Sequence, residues 1–250
     1  MGRVVRYVVV AAVVVALTLL GPLHPSMAAM SSNEVPPVAS VEPAAGAVVG
    51  VGHPVVVTFT GPVIDRAAAE RGISINGARP MTGRFEWTND NVVQWVPNGF
   101  WPAHSSVKVT ALGWKSDFDA GSAVVGVASI SSHTFTVSID GQVVRTMPAS
   151  MGKPKHPTPV GDFTALSKER SVIMDSRTIG IPLSDPEGYR LTVNWAVRVT
   201  SGGVYVHSAP WSVDQQGVSN VSHGCINLSP SNAEWYFNTV HVGDPIIVQA

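Results

Sequence analysis

The residues able to do chemistry concentrate between Val204 and Leu228, in the stretch VYVHSAPWSVDQQGVSNVSHGCINL. The only cysteine, Cys225, follows His223 and Gly224 and precedes Asn227, and His207 lies eighteen positions upstream of it. A cysteine attacks as its thiolate, and a free thiol with a pKa of about 8.5 is mostly protonated at neutral pH. An imidazole within hydrogen-bond reach can take that proton, and its cation then stabilises the thiolate. The Ser208 carbonyl or hydroxyl could fix the tautomer of His207. Glycine permits close approach, so backbone N–H groups around Gly224 and Cys225 can face a developing oxyanion. Asn227 could orient a substrate amide or support the turn.

His223 has three readings: a second base, an oxyanion donor through its backbone, or a turn residue. The backbone role is favoured, because a side chain two residues from Cys225 on an extended segment shares its face but cannot fold back onto the sulfur. His207, His223 and Cys225 also offer three ligands to zinc. The single residue between His223 and Cys225 is too short a gap for the usual ligand spacing, and there is no second cysteine. No metal and no cofactor are expected. The plainest alternative remains a small buried hydrophobe, which is what an unpaired thiol most often is.

These side chains need elements to position them. His207 ends the alternating run Val204-Tyr205-Val206, which predicts a strand paired with Leu191 to Thr200 across the turn Gly202-Gly203. After Cys225, Ser229 and Pro230 make an N-cap and first-turn pair, strengthened by Ser231 and Glu234, so a helix is predicted from Pro230 to Asn238. The seventeen residues between His207 and Cys225 are too irregular for one element and should loop out. Upstream, Thr134 to Ile139 and Gln142 to Met147 flank Asp140-Gly141, a type I′ hairpin signal. A loop from Gly152 to Gly161 leads into a strand near Phe163, and Pro245 to Gln249 reads as the closing strand.

The residues before this form a separate unit. Short β-rich runs follow one another from Val38 to Leu112, among them Val55–Phe59, Ile73-Ser74-Ile75, Phe85-Glu86-Trp87, Val92–Val96 and Ser106–Leu112. Turn residues separate them, which predicts a β-sandwich. Asn76-Gly77 reads as a hairpin turn, and Asp65 as the cap of a helical turn through Ala67–Glu70. Trp87, Trp95, Trp101 and Trp114 are expected to fill the sandwich core or the seam between domains, with a sugar-stacking platform as the other reading.

Composition narrows the class. Of 250 residues 45% are hydrophobic, and 16 Lys and Arg stand against 17 Asp and Glu. A chain so near neutrality lacks the clustered basic surface of a nucleic-acid binder. With 23 Gly and 19 Pro, it suits short strands and tight turns better than helix bundles. At the N-terminus Arg3 and Arg6 precede an apolar run from Tyr7 to Leu20, and Ser26-Met27-Ala28 offers a cleavage site. Residues 1–29 therefore read as a signal peptide, with retention as an uncleaved membrane anchor the alternative. The protein is expected to be exported to the periplasm or cell wall. Residues 30–37 are expected to be a flexible tether, 38–120 the first domain and 121–250 the catalytic one.

Two resemblances follow from these residues. Pro43, Gly46, Val48, Pro54–Val57, Phe59 and Pro62-Val63 resemble the bacterial immunoglobulin-like modules that precede many cell-wall enzymes. Ser222-His223-Gly224-Cys225-Ile226-Asn227, with Val206-His207-Ser208, resembles the signature of the L,D-transpeptidases, also called the YkuD or ErfK family. Asp140-Gly141 and Thr158–Phe163 fit that family's opening, and the arrangement is most similar to its small mycobacterial-type enzymes. The fold implied is mostly β: an immunoglobulin-like sandwich, then a β-rich catalytic domain with one short helix after the nucleophile.

The activity implied is peptidoglycan cross-linking. Cys225 attacks the peptide bond after the third residue of a donor tetrapeptide stem and releases D-alanine. The thioester is resolved by the diaminopimelate amine of an acceptor stem, giving a 3→3 cross-link. In the same terms His207 is base and then acid, Ser208 orients it through its backbone, and His223, Gly224 and Cys225 supply the oxyanion hole. Tyr189, Gly202, Gly203 and Asn227 match substrate-contacting positions, Trp211 borders the pocket, and Met174 belongs to a lid. Carbapenems are implied as covalent inhibitors of Cys225. An L,D-carboxypeptidase, in which water replaces the acceptor amine, uses the same thiol, and an exported wall-binding protein with an idle cysteine is the reading from another class.

Overall fold

The computed structural model describes residues 34–250, so the signal peptide and its cleavage site lie outside the described residues. Val35 packs on the core of the first sandwich, and the Pro37 carbonyl accepts from the Thr60 N–H at 2.9 Å. The described end of the expected tether is thus held in place rather than free.

The first eight strands are β1 (Val38–Glu42), β2 (Val48–Val49), β3 (Val55–Phe59), β4 (Ile73–Asn76), β5 (Gly83–Trp87), β6 (Val92–Pro97), β7 (Ser105–Ala111) and β8 (Trp114–Ala120). They make two four-stranded sheets, in the orders β1-β3-β6-β5 and β2-β8-β7-β4. Alternation buries one face of each strand, as along β3 and β6, and the two faces meet in one core. The expected helical turn is α1 (Arg66–Arg71), where the Asp65 carboxylate accepts from the Ala68 N–H. Trp95 and Trp101 are buried and stacked, and Trp101 Nε1 donates to the His53 carbonyl. Trp87 stacks on Phe59 at the core's edge, whereas Trp114 is 43% exposed and fills no core.

The hairpin expected at Asn76-Gly77 does not form. β4 pairs with β7, and β5 with β6 in the opposite sheet, so the chain crosses the sandwich there. Local turn chemistry cannot distinguish a reversal within one sheet from a passage between two.

The remaining strands are β9 (Val124–Ser129), β10 (Thr134–Ile139), β11 (Gln142–Pro148), β12 (Gly161–Thr164), β13 (Ser167–Asp175), β14 (Arg190–Arg198), β15 (Tyr205–Ser208), β16 (Ile226–Leu228) and β17 (Pro245–Gln249). They form sheets ordered β11-β10-β9-β17-β12 and β13-β14-β15-β16. The Asp140-Gly141 turn joins β10 to β11, with both residues at positive φ (50° and 83°) as a type I′ turn requires. Helix α2 (Pro230–Thr239) starts at the Ser229–Pro230 pair, although the Ser229 side chain makes no capping hydrogen bond. Its Ala233 and Tyr236 are buried against the sheets. Among the described residues no helix is long and apolar enough to cross a membrane.

The parallel pairing of β15 with β16 organises the second domain. The register sets Val206 beside Ile226, His207 beside Asn227 and Ser208 beside Leu228, and all seven residues of the two strands are buried. Parallel strands of this kind are covered on both sides. Val206, Ile226 and Leu228 point into the main core. The alternate residues, including His207 and Asn227, point the other way, and Cys225 immediately precedes β16 on that same face.

Candidate active site

That face opens into a cavity of about 540 Å³ lined by Cys225, His207, Asn227, His223 and Tyr189, with Met174 and Trp211 at its sides. Seven residues singled out in the sequence therefore converge on one space. Two others act from its margin. The Gly203 carbonyl accepts from the Cys225 Sγ at 3.8 Å, and the Ser208 carbonyl faces His207 from behind. Gly202 shares the expected turn, where the Gly203 N–H donates to the Thr200 carbonyl, but does not line the cavity.

His207 is 2% exposed, and its Nδ1 lies 2.8 Å from the Ser208 carbonyl oxygen. A carbonyl only accepts, so Nδ1 must carry a proton and the neutral ring keeps an unprotonated Nε2. Of the two roles open to Ser208, its backbone carbonyl fixes the tautomer. Burial drives the His207 pKa down to about 4, against the opposing pull of that carbonyl. Burial also raises Cys225 to about 11, only partly offset by the Tyr205 backbone N–H.

At neutral pH both groups are therefore uncharged, and no hydrogen bond joins them among the described residues. The expectation of a preformed thiolate–imidazolium pair does not hold for this resting state. On this buried face the backbone groups beside each residue offset only part of the desolvation of two charges.

The turn before Cys225 is built by its own side chains. Ser222 Oγ donates to the Cys225 carbonyl at 2.6 Å and accepts from the Gly224 N–H at 3.1 Å. Gly224 has φ +116°, a conformation that strains any residue with a Cβ. Thr158, 2% exposed, links this turn to the loop after β11: its Oγ1 donates to the Gly224 carbonyl and accepts from the Gly152 N–H, both at 2.8 Å. Since the Gly224 N–H is already engaged, that residue is a poor oxyanion donor and serves instead to shape the turn.

The His223 side chain has partners of its own. Its ring packs 5.0 Å from His156 and 5.1 Å from Tyr189, and its Nε2 lies 3.4 Å from Lys153 Nζ. Among the described residues the one trio of metal-type ligand atoms within 4.8 Å of one another is His156, Glu187 and His223, not His207, His223 and Cys225. Asn227 Nδ2 donates to Ser212 Oγ at 3.1 Å, supporting the turn that follows β15.

Lys153, Glu187, Ser212 and Gln215 also line the cavity and went unread in the sequence. Ser222, part of the cysteine motif, carried a signal. The others sit on loops whose spacing encodes no partner, so only the fold brings them together.

Comparison with known proteins gives the same assignment from a separate direction. A family model for the L,D-transpeptidase catalytic domain matches residues 123–248, and one for a bacterial Ig domain matches residues 27–112. L,D-transpeptidase 1 of Mycobacterium tuberculosis is 60% identical, over 99% of this chain and 99% of its own length. The structure of the LD transpeptidase LdtMt1 in complex with imipenem superposes with a TM-score of 0.82 at 64% identity, covering 86% of this chain and all of that one. L,D-transpeptidase 3 from Mycobacterium tuberculosis, in complex with a faropenem-derived adduct, superposes with a TM-score of 0.79 at 58% identity, covering 85% of this chain and 98% of that one.

Proposed function

Because the chain belongs to the L,D-transpeptidase family, we propose that it forms 3→3 cross-links in peptidoglycan through a thioester on Cys225. The observation that carries this reading is a thiol and a base of fixed tautomer on one face of two parallel strands, opening into one cavity. The charge states dictate the order of events. His207 Nε2 takes the thiol proton as Sγ attacks the carbonyl carbon of the donor's third residue, so the ion pair appears only with bond formation. The negative oxygen of the tetrahedral adduct needs backbone donors, and with the Gly224 N–H engaged this falls to His223 and Cys225. Collapse expels the D-alanine amine, which takes the proton from His207.

The acceptor amine of a diaminopimelate then attacks the thioester, His207 accepts its proton, and the sulfur departs as the thiol by taking that proton back. Ser208 holds the ring throughout. Tyr189, Met174 and Trp211 supply contact area for the stems, and the Gly203 carbonyl keeps the resting thiol parked beside the cavity. Such a substrate lies outside the cytoplasm, so the reading carries export with it.

The same thiol is expected to react with carbapenems. Incubation with imipenem followed by intact-mass measurement should show one added drug molecule on the wild-type protein and none on Cys225→Ala. Absence of any adduct on the wild type would return Cys225 to a packing role in a wall-binding protein. With tetrapeptide stems the products separate the two enzymatic outcomes. A cross-linked dimer with D-alanine supports transfer, and D-alanine with free tripeptide supports a carboxypeptidase.

A further inference from the structure

At one wall of the cavity two lysines share a single hydrogen-bonded carboxylate. Lys153 Nζ donates to Glu187 Oε1 at 2.5 Å, and Lys155 Nζ donates to Oε2 at 2.7 Å. His156 Nε2 is buried without a hydrogen-bond partner, 3.5 Å from the same Glu187 oxygen. Lys153, Glu187 and His223 line the cavity with Cys225. The two ammonium groups hold the Glu187 carboxyl down to about 2, so it stays ionised and serves both lysines as their hydrogen-bonded anion. A metal ion is ill suited to this trio, because both oxygens of Glu187 already meet ammonium groups.

Glu187 also has an unusual mechanical position. It belongs to residues 176–189, which join β13 to β14. Among the described residues, the hydrogen bonds of this segment otherwise stay within 175–190: Ser176 with Ile181 and Tyr189, Arg177 and Thr178 with Asp175, Asp185 with Pro182, Glu187 and Gly188. Only the Glu187 carboxylate reaches across to another part of the chain by hydrogen bonds.

We propose that Lys153 and Lys155, with His156 beside them, form a carboxylate subsite for the stem peptide, which the side chain of Glu187 fills when no substrate is bound. This rests on the stem-peptide reading above. A substrate carboxylate entering the subsite replaces one anion with another, so the local charge balance is kept. It also frees Glu187 and with it the one hydrogen-bonded tie of residues 176–189, coupling recognition to opening of that segment. Two carboxylates of a donor stem share the required chemistry: the one leaving with D-alanine and the one on the diaminopimelate side chain.

The test compares three donor tetrapeptides on the full chain: one with both carboxylates free, one amidated at its C-terminus, and one amidated on diaminopimelate. The wild type should favour the free acid over one of the amides by about tenfold in kcat/KM, the scale of a charge-assisted hydrogen bond; which amide suffers identifies the carboxylate. Lys153→Met should bring acid and amide within about twofold by raising KM for the acid, and Lys153→Arg should restore the preference. Glu187→Gln, which removes the competing anion, should lower KM for the acid several-fold. An acid-to-amide ratio unchanged in Lys153→Met overturns the subsite alone. Should that variant fail to fold, an unchanged or raised KM in Glu187→Gln overturns it. A wild type that turns over none of the peptides sinks the cross-linking reading and the subsite with it.

Discussion

In the proposed mechanism Cys225 is the nucleophile and His207 the base, and the resting states of both are neutral, which has measurable consequences. With His207 at about 4 and Cys225 at about 11, the resting cavity holds a neutral imidazole and a neutral thiol. The acylation rate by imipenem should rise as pH passes upward through about 4 and stay level from about 6 to 9. A bell centred near neutrality would instead indicate a preformed ion pair. Replacing His207 with Gln should slow acylation by about 10²–10⁴-fold, the usual contribution of a positioned base. The same ring affects stability. Its folded pKa lies below the ordinary value of 6.5, so the unfolded chain binds the extra proton between those values, and stability falls as pH drops from about 6.5 to 4. The loss from this one group is up to about 3 kcal/mol, and urea unfolding of wild type and His207→Gln across that window should show a flatter dependence in the variant. The pairing of a lone cysteine with an upstream histidine is legible in the spacing. The protonation state is not, because it depends on burial, which neighbours in sequence do not report.

At the scale of elements, the parallel strands β15 and β16 set the face and the turn before Cys225 sets the sulfur. That turn is held by Ser222 Oγ, which bonds the Cys225 carbonyl and the Gly224 N–H, and by Thr158 from the loop after β11. Ser222→Ala removes both Ser222 bonds and should cost about 1–3 kcal/mol of unfolding free energy. Acylation should fall by more than that loss accounts for, since the turn aims the thiol. Gly224→Ala meets little steric obstruction, its nearest neighbour being the Pro157 carbonyl oxygen at 3.7 Å. Its cost should come from φ +116°, about 1–3 kcal/mol of backbone strain, read by thermal unfolding. The helix after Cys225 and the Asp140-Gly141 hairpin were readable because their signals are local. Asn76-Gly77 carried an equally good local signal and the chain crossed between sheets there, because pairing is decided by where buried faces find each other.

The whole molecule joins its two domains through the backbone as well as the side chains. The Gly50 N–H donates to the Val242 carbonyl at 2.8 Å and the Gly52 N–H to the Gly243 carbonyl at 2.9 Å. Asp244, fully buried, accepts from the Val51 N–H at 3.3 Å and the His241 N–H at 2.7 Å. A Cβ on Gly50 would collide with the Asp244 backbone, so this approach requires glycine. Asp244→Ala leaves two backbone donors without their acceptor and should cost about 2–5 kcal/mol. If the seam makes the domains one cooperative unit, the variant should also split a single calorimetric transition into two; a lone unsplit transition at unchanged temperature would show the seam to be energetically idle.

By itself the sequence determined the family and the kind of fold. A single thiol beside His223-Gly224, a histidine at the end of an alternating run, and short β-branched segments between turns are all properties of neighbouring residues, and neighbours are what a chain records directly. The tertiary structure alone decided that His207 and Cys225 line one cavity, that burial leaves both uncharged, that His223 packs against His156 and Tyr189, and that Glu187 reaches Lys153 and Lys155. Each of these depends on strands distant in the chain lying side by side, and on the water their packing excludes.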